Sequence, residues 1–290
     1  MDFEKQFSTE EACLSYLERI RWPAGFRCPA CQCAKAWRTK RDTFFCANCK
    51  RQTSVTAGTV FGGSRKPLRI WFRAIWLMVS EKHGISALGV RRQLGLNWYE
   101  TAWRMLRKLR QAMVRPDRDS LLGEVEVDET LVGGPQAGRR GRDIEGKSLV
   151  VIAAERNGDK TGRIRMQRIV NAGGSTLDGF VKNNIQKGAM VITDGWKGYL
   201  GVSKLGYRHQ QIKGESVGIQ ELLPRVHRVA ALLKRWLLGT HHGRIEKAYL
   251  DDYLNEFTFR FNRRTSGSRG KLFYRLIQQT VGSTTTYGVN

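Results

Sequence analysis

The spacing of apolar positions changes twice along this chain. Near the N-terminus, Ser8 and Glu11 stand at capping-box spacing ahead of "STEEACLSYLERIRW", which predicts a short amphipathic helix ending before Pro23. Over residues 68–113 apolar residues recur every three or four positions, and the pattern breaks at His83-Gly84 and again at Gly95-Leu96-Asn97. From about Ser120 the period becomes two. "GEVEVDETLVGG", "KSLVVIAAERNG" and "GRIRMQRIVN" read as strands, with Asn157-Gly158 as the turn between the second and third. "STLDGFVKNNIQ" then reads as a helix, "AMVITDGWKGY" as a buried strand running into a turn, and "YRHQQIK" as a fifth strand. Two helices follow, around "PRVHRVAALLKRWLL" and "IEKAYLDDYLNEFTFRFNRR", and the end "GSTTTYGVN" is small and polar. Strands first in a run, then alternating with helices, predict an α/β fold built on a mixed sheet with flanking helices.

The cysteines add a second module. Cys28/Cys31 and Cys46/Cys49 form two CxxC pairs flanking short β-prone segments, Cys33 falls just outside the pattern, and Cys13 stands apart. Two such knuckles converging on one ion give the S₄ coordination of a structural zinc ribbon, and so small a module needs the metal to fold. The predicted divisions are 1–62 for the N-terminal helix and ribbon, 63–118 for the helical region, 119–265 for the sheet domain and 266–290 for a C-terminal tail.

Charge then narrows the partner. The 290 residues carry 50 Lys and Arg against 26 acids, a formal net charge of +24, which calls for a polyanion such as nucleic acid. No apolar run is long enough to span a bilayer, and the polar, partly acidic start is no secretory signal, so the protein is expected to stay in the compartment where it is made. Within the helical region, "ISALGVRRQLG" followed by "LNWYETAWRMLRKLRQAM" has the layout of a helix-turn-helix. Arg91 and Arg92 end the first helix; Trp98 and Tyr99 open the second, and Arg104, Arg107, Lys108 and Arg110 follow. Such a helix can enter a major groove and hold phosphates. Arg91, Arg92, Trp98, Arg104 and Lys108 are the DNA-binding candidates; a helical hairpin with a solvated basic face is the plain alternative. The Gly-rich basic stretch "GGPQAGRRGRDIEGK" lacks the GK[ST] ending of a P-loop, and reads as a loop touching the DNA backbone or as a mobile surface loop.

Two aspartates resist a packing explanation. Asp128 lies on the first strand of the sheet domain, and Asp194 ends the buried strand "AMVIT". Phosphoryl-transfer sites need carboxylates from separate elements converging on ions ~4 Å apart, with Mg²⁺ or Mn²⁺ as the oxygen-loving metal. Glu124 and Glu126 share the strand face of Asp128 and are possible auxiliaries, whereas Glu129 points the other way. On the later helix His227 and Lys234 are seven residues apart, hence on one side, beside an apolar stripe of Val226, Ala230, Leu233 and Leu237. Glu221 and Glu246 are fallback third acids, and His241-His242 read as loop residues rather than zinc ligands.

The ribbon, "VDETLVGG", "VITDGWKGY" and "VHRVAALLKRWLLGTHHG" together resemble bacterial insertion-sequence transposases of the ISXO2-like group, over roughly residues 10–265. These have an N-terminal zinc ribbon and an RNase H-like DDE-type domain. The resemblance implies that Asp128 and Asp194 are the first two acids and hold Mg²⁺ or Mn²⁺. It implies that His227 takes the third position, Glu in most such enzymes and Asn or His in this group, and that Lys234 is the basic residue beyond it. The implied activity is metal-dependent cleavage and strand transfer at element ends, on double-stranded DNA, by a homo-oligomer in the bacterial cytoplasm at the nucleoid. Two rivals remain at this level: a non-catalytic zinc-ribbon/helix-turn-helix regulator with a degenerate nuclease domain, and a metal nuclease without strand transfer.

Overall fold

The computed structural model describes residues 2–115, 117–133, 147–212, 222–243 and 245–282. Most of the Gly-rich basic loop, Glu221 and all but the first residue of "GSTTTYGVN" lie outside the described residues. The N-terminal elements are α1 (Phe3–Gln6), α2 (Glu10–Arg21), β1 (Ala36–Arg38), β2 (Thr43–Cys46), β3 (Gln52–Ser54), α3 (Leu68–Ser80), α4 (Ala87–Gln93) and α5 (Tyr99–Ala112). Next come β4 (Glu124–Val132), β5 (Ser148–Asn157), β6 (Lys160–Ile169), α6 (Gly174–Asn184), β7 (Met190–Thr193) and β8 (Arg208–Gln211). The chain closes with α7 (Pro224–His241), α8 (Leu250–Phe261) and α9 (Arg269–Gly282). Contacts divide it into two compact units, one drawn from the stretches up to Arg115 and from Ser266 on, the other running from Pro116 to Thr265.

In the first unit, α2 is capped by Thr9, whose hydroxyl accepts from the Ala12 N–H at 3.2 Å, one position later than the Ser8 capping box predicts. β1, β2 and β3 form an antiparallel three-stranded sheet in that order. The helical region breaks where the sequence indicates, with Gly84 at φ 78° and Gly95 at φ 62°, conformations that favour glycine. α4 is capped by Ser86, whose hydroxyl accepts from the Gly89 N–H at 3.1 Å, and a tight connection leads to α5. The segment expected to be a tail is instead largely helical. α9 buries Leu272, Phe273, Leu276, Ile277 and Thr280, and Phe273 packs against Phe3, Phe7 and Phe72 at ring separations of 5.4, 5.3 and 5.5 Å.

The second unit is an RNase H-like mixed α/β layer structure. Its five-stranded sheet has the order β6-β5-β4-β7-β8; β6, β5 and β4 pair antiparallel, and β4, β7 and β8 pair parallel. Alternation along β4 sends Val125 and Val127 into a core shared with Leu177, Phe180 and Val181 of α6. Alternation along β5 sends Val150, Ile152 and Ala154 the other way, into a core built with Val226, Val229, Leu233 and Leu237 of α7 and Leu254 and Phe257 of α8. The sheet is thus covered on both faces. β4 and the shorter β7 start level with one another, Glu124 opposite Met190, and β4 runs on past the end of β7.

Candidate active site and metal centre

The ribbon cysteines converge as their spacing predicts. The Sγ atoms of Cys28, Cys31, Cys46 and Cys49 lie within 4.8 Å of one another, with Cys28–Cys49 and Cys31–Cys46 each at 3.5 Å. Four thiolates about 2.3 Å from one tetrahedral ion would stand ~3.8 Å apart, so the donor set fits zinc. Each knuckle closes on itself in the same way. The Gln32 N–H bonds the Cys28 carbonyl at 2.9 Å and the Lys50 N–H bonds the Cys46 carbonyl at 3.1 Å, with Gln32 and Lys50 both at φ 60°. Cys33 stays outside the cluster, its Sγ near the Lys35 carbonyl at 3.8 Å, and Cys13 is buried in α2, where burial pushes its thiol up to about 12.

The parallel pairing of β4 and β7 sets the two aspartates side by side. Val125 is opposite Val191 and Glu126 opposite Ile192; carried two residues further, that register puts Asp128 level with Asp194, on strands ~4.8 Å apart. Asp128 Oδ1 accepts from the Glu129 N–H at 2.8 Å, and Oδ2 meets His227 Nε2 of α7 at 3.2 Å. Burial pushes the Asp128 carboxyl above its ordinary range; the Glu129 N–H and His227 oppose the shift, and the charge of Asp194 adds to it. Asp194 Oδ1 accepts from the Trp196 N–H at 3.0 Å. Behind it, Thr193 Oγ1 donates to the Asp194 carbonyl at 2.9 Å, so the hydroxyl must accept from His209 Nε2–H, also at 2.9 Å.

Trp196 is half exposed; its indole N–H bonds the Ala172 carbonyl at 2.8 Å. Gly198 makes that closeness possible, because a Cβ there would stand 2.5 Å from the Ala172 oxygen and 2.6 Å from the indole nitrogen.

Of the sequence-predicted set, Asp128, Asp194 and His227 are brought together where α7 crosses the inner strands β4 and β7. His227 reaches Asp128 directly, and among the described residues the three do not draw together as tightly as the cysteines. Lys234 lies exposed two turns on; burial of part of its stem, then the charge of Lys147, hold its ammonium below the usual range. Glu124 is exposed and paired with Arg156 at 3.3 Å. Glu126, a possible auxiliary by its face, has no acceptor site left for a metal: Oε1 takes Arg156 Nε and Arg225 Nη1, each at 3.0 Å, and Oε2 takes the Arg225 and Val226 N–H groups at 2.8 and 3.2 Å. Glu246 is exposed ahead of a 3₁₀ turn at Lys247–Tyr249. His241 is not a loop residue: it ends α7 with its ring 4.8 Å from both Trp236 and Tyr253, while His242 stops the helix at φ 54°.

A further acid was missed. Glu129, on the opposite face of β4, accepts a short hydrogen bond from the buried Tyr199 hydroxyl. Its carboxyl is pushed up to about 7 by burial, against the Tyr199 hydrogen bond and with the charges of Asp128 and Asp194. The sequence signal was an acid facing an otherwise apolar core, but nothing in the pattern named Tyr199 as its partner. Among the DNA-binding candidates, Arg91, Arg92, Trp98 and Arg104 are exposed, Trp98 by 70%. Arg91 turns back to bond the Leu96 carbonyl at 3.3 Å, and Lys108 is half-buried. Arg110, read with the basic face, is buried.

The sheet unit matches the ISXO2-like transposase domain over residues 120–262, and the N-terminus matches the transposase zinc-ribbon domain over residues 8–52. A protein described as uncharacterized, from the transposable element ISH50 of Halobacterium salinarum, is 27% identical over 300 residues, covering 96% of this chain and 98% of its own. The chain belongs to the ISXO2-like insertion-sequence transposases. No helix among the described residues is long and apolar enough to cross a membrane.

Proposed function

We propose that the protein cleaves phosphodiester bonds at the ends of its insertion sequence and joins the freed ends to target DNA. The observation that carries this reading is the nearness of Asp128, within β4, to Asp194, just past the end of the parallel neighbour β7, with His227 of α7 against Asp128. Two carboxylates so placed are the oxygen-donor set that Mg²⁺ or Mn²⁺ takes. Divalent cations bound there would activate water for cleavage and then the freed 3′-hydroxyl for strand transfer. Asp128 and Asp194 would hold the ions, and the hydrogen bonds from Glu129 and Trp196 N–H groups fix one oxygen of each while leaving lone pairs open. His227 completes or supports the shell from the third element, and Lys234, on the same side of α7, contacts a phosphate near the scissile bond. The four-cysteine ribbon with its structural zinc, and the exposed residues of α4 and α5, hold the double-stranded DNA. A substrate with two ends calls for a homo-oligomer, acting in the bacterial cytoplasm at the nucleoid. A non-catalytic regulator would have no need for both acids.

The test uses labelled DNA from the two flanks of the gene, with Mg²⁺ or Mn²⁺. Loss of metal binding removes several kcal/mol of transition-state stabilisation, so Asp128→Ala and Asp194→Ala should each fall below about one hundredth of wild-type strand transfer. Full activity in either aspartate variant sinks the reading; full activity in His227→Ala removes only the third-position role.

A further inference from the structure

The strand that bears Asp128 and the helix that bears His227 are joined at two adjacent points. One is the Asp128–His227 contact itself. The other lies one strand step earlier, where Glu126 is fully buried and faces the first turn of α7. Its carboxylate accepts from the main-chain N–H groups of Arg225 and Val226, from the Arg225 guanidinium and from Arg156 of β5, and so uses all its acceptor positions. The two N–H groups are donors that any helix start leaves unsatisfied, and the side chain of Leu223, at the cap position, supplies no hydrogen bond to them. Pro224 at the first helical position fixes the entry of the chain just ahead of them.

The division of labour follows from what each contact can specify. The stripe Val226, Val229, Ala230, Leu233 and Leu237 holds α7 to the sheet, but apolar burial is non-directional and tolerates small slides and rotations. Hydrogen bonds to one carboxylate from two successive N–H groups fix both the axial position and the rotation of the first turn. His227 follows Val226 immediately, so its ring is set by that turn. Burying the Glu126 charge is tolerable because two guanidiniums and the helix N-terminus surround it.

We propose that Glu126 is a positioning residue, which fixes the register of α7 on β4 so that the imidazole of His227 meets Asp128. The inference rests on the reading of Asp128 and His227 as parts of the reacting site. It is distinct from a plain stabilising role, because a carboxylate that merely holds the unit together would act independently of His227.

The experiment compares the full chain as wild type, Glu126→Gln, His227→Ala and the double variant in single-turnover strand transfer, with Asp128→Ala and Asp194→Ala alongside. Groups that orient a metal site are worth about 10–100-fold, and Glu126→Gln and His227→Ala should each lose an amount in that range. If Glu126 works through His227, the double variant is no slower than the slower single one. Losses that multiply, wild-type rates in Glu126→Gln, or wild-type rates in His227→Ala overturn the proposal. If the aspartate variants are inactive while the other losses multiply, the positioning role alone fails; active aspartate variants point instead to failure of the site reading. Should Glu126→Gln not fold, Arg225→Lys weakens the same grip and replaces it in the cycle. A readout free of activity is the side-chain resonance of His227 in histidine-labelled protein, expected to shift in either grip variant; an unmoved resonance in a folded variant overturns the proposal as well.

Discussion

Glu155 shows how single residues hold the sheet unit together, and it makes a prediction of its own. Its buried carboxylate accepts from the Leu122 N–H at 2.9 Å, from the Arg163 N–H at 3.0 Å and from Nε and Nη2 along one edge of the Arg163 guanidinium. Burial pushes its carboxyl up, but the Arg163 side chain and the two N–H groups outweigh this and hold it below the ordinary value of 4.5. A depressed native value means that the stabilisation is complete above about pH 4.5 and is lost as pH falls through the native value. Glu155→Gln should therefore cost about 1.5–3 kcal/mol at pH 7, the range for hydrogen bonds to charged groups. Urea melts of the two proteins should converge as pH drops below 4.5; a gap that is the same at pH 7 and pH 3 refutes the assignment. At this scale the sequence marked Asp128 and Asp194 because acids at strand positions otherwise apolar need a reason. It could not separate their neighbour Glu126, since the difference lies in Arg156 and Arg225, which are brought up by β5 and α7.

Among elements, β4 was readable from alternation alone, and so were the order of the strands and the helix following them. Register was not. The pairing of β4 with β7 joins residues more than sixty positions apart, and only that pairing puts Asp128 level with Asp194. α9 failed for a different reason. Leu272, Phe273, Leu276 and Ile277 have helical spacing, but a turn-rich stretch, "TSGSRG", precedes them and a polar end follows. The α4–α5 pair has the predicted layout, and its exposed side chains decide what can be tested. Arg92 and Arg104 are free of the core, so their replacement by Ala should leave stability within about 0.5 kcal/mol. Each should weaken binding to duplex DNA and lower the slope of log affinity against log salt by about one. An unchanged slope in both variants would return the pair to a plain helical hairpin.

Taken whole, the molecule is two compact units with different supports. The first includes a small ribbon whose four cysteines converge on one point, and modules of that size draw folding free energy from the metal. The second has apolar cores on both faces of its sheet and no cysteine. Chelation of zinc from the full chain should lower one calorimetric transition and leave the other in place, with zinc release by a colorimetric dye tracking the first. A single transition that ignores the chelator would remove the metal from the account of this unit.

The return of α9 to the first unit has a consequence for synthesis. The sheet unit occupies one unbroken stretch, Pro116–Thr265, and every strand it needs has left the ribosome before α9 is made. The unit that begins first in the chain is thus finished last. Phe3, Phe7 and Phe72 wait for Phe273 while some two hundred residues are added between them. A nascent chain stopped at Thr265 would carry a closed sheet unit and, ahead of it, an open aromatic core. In this order of assembly, the unit that carries the ribbon is completed only once α9 has been made.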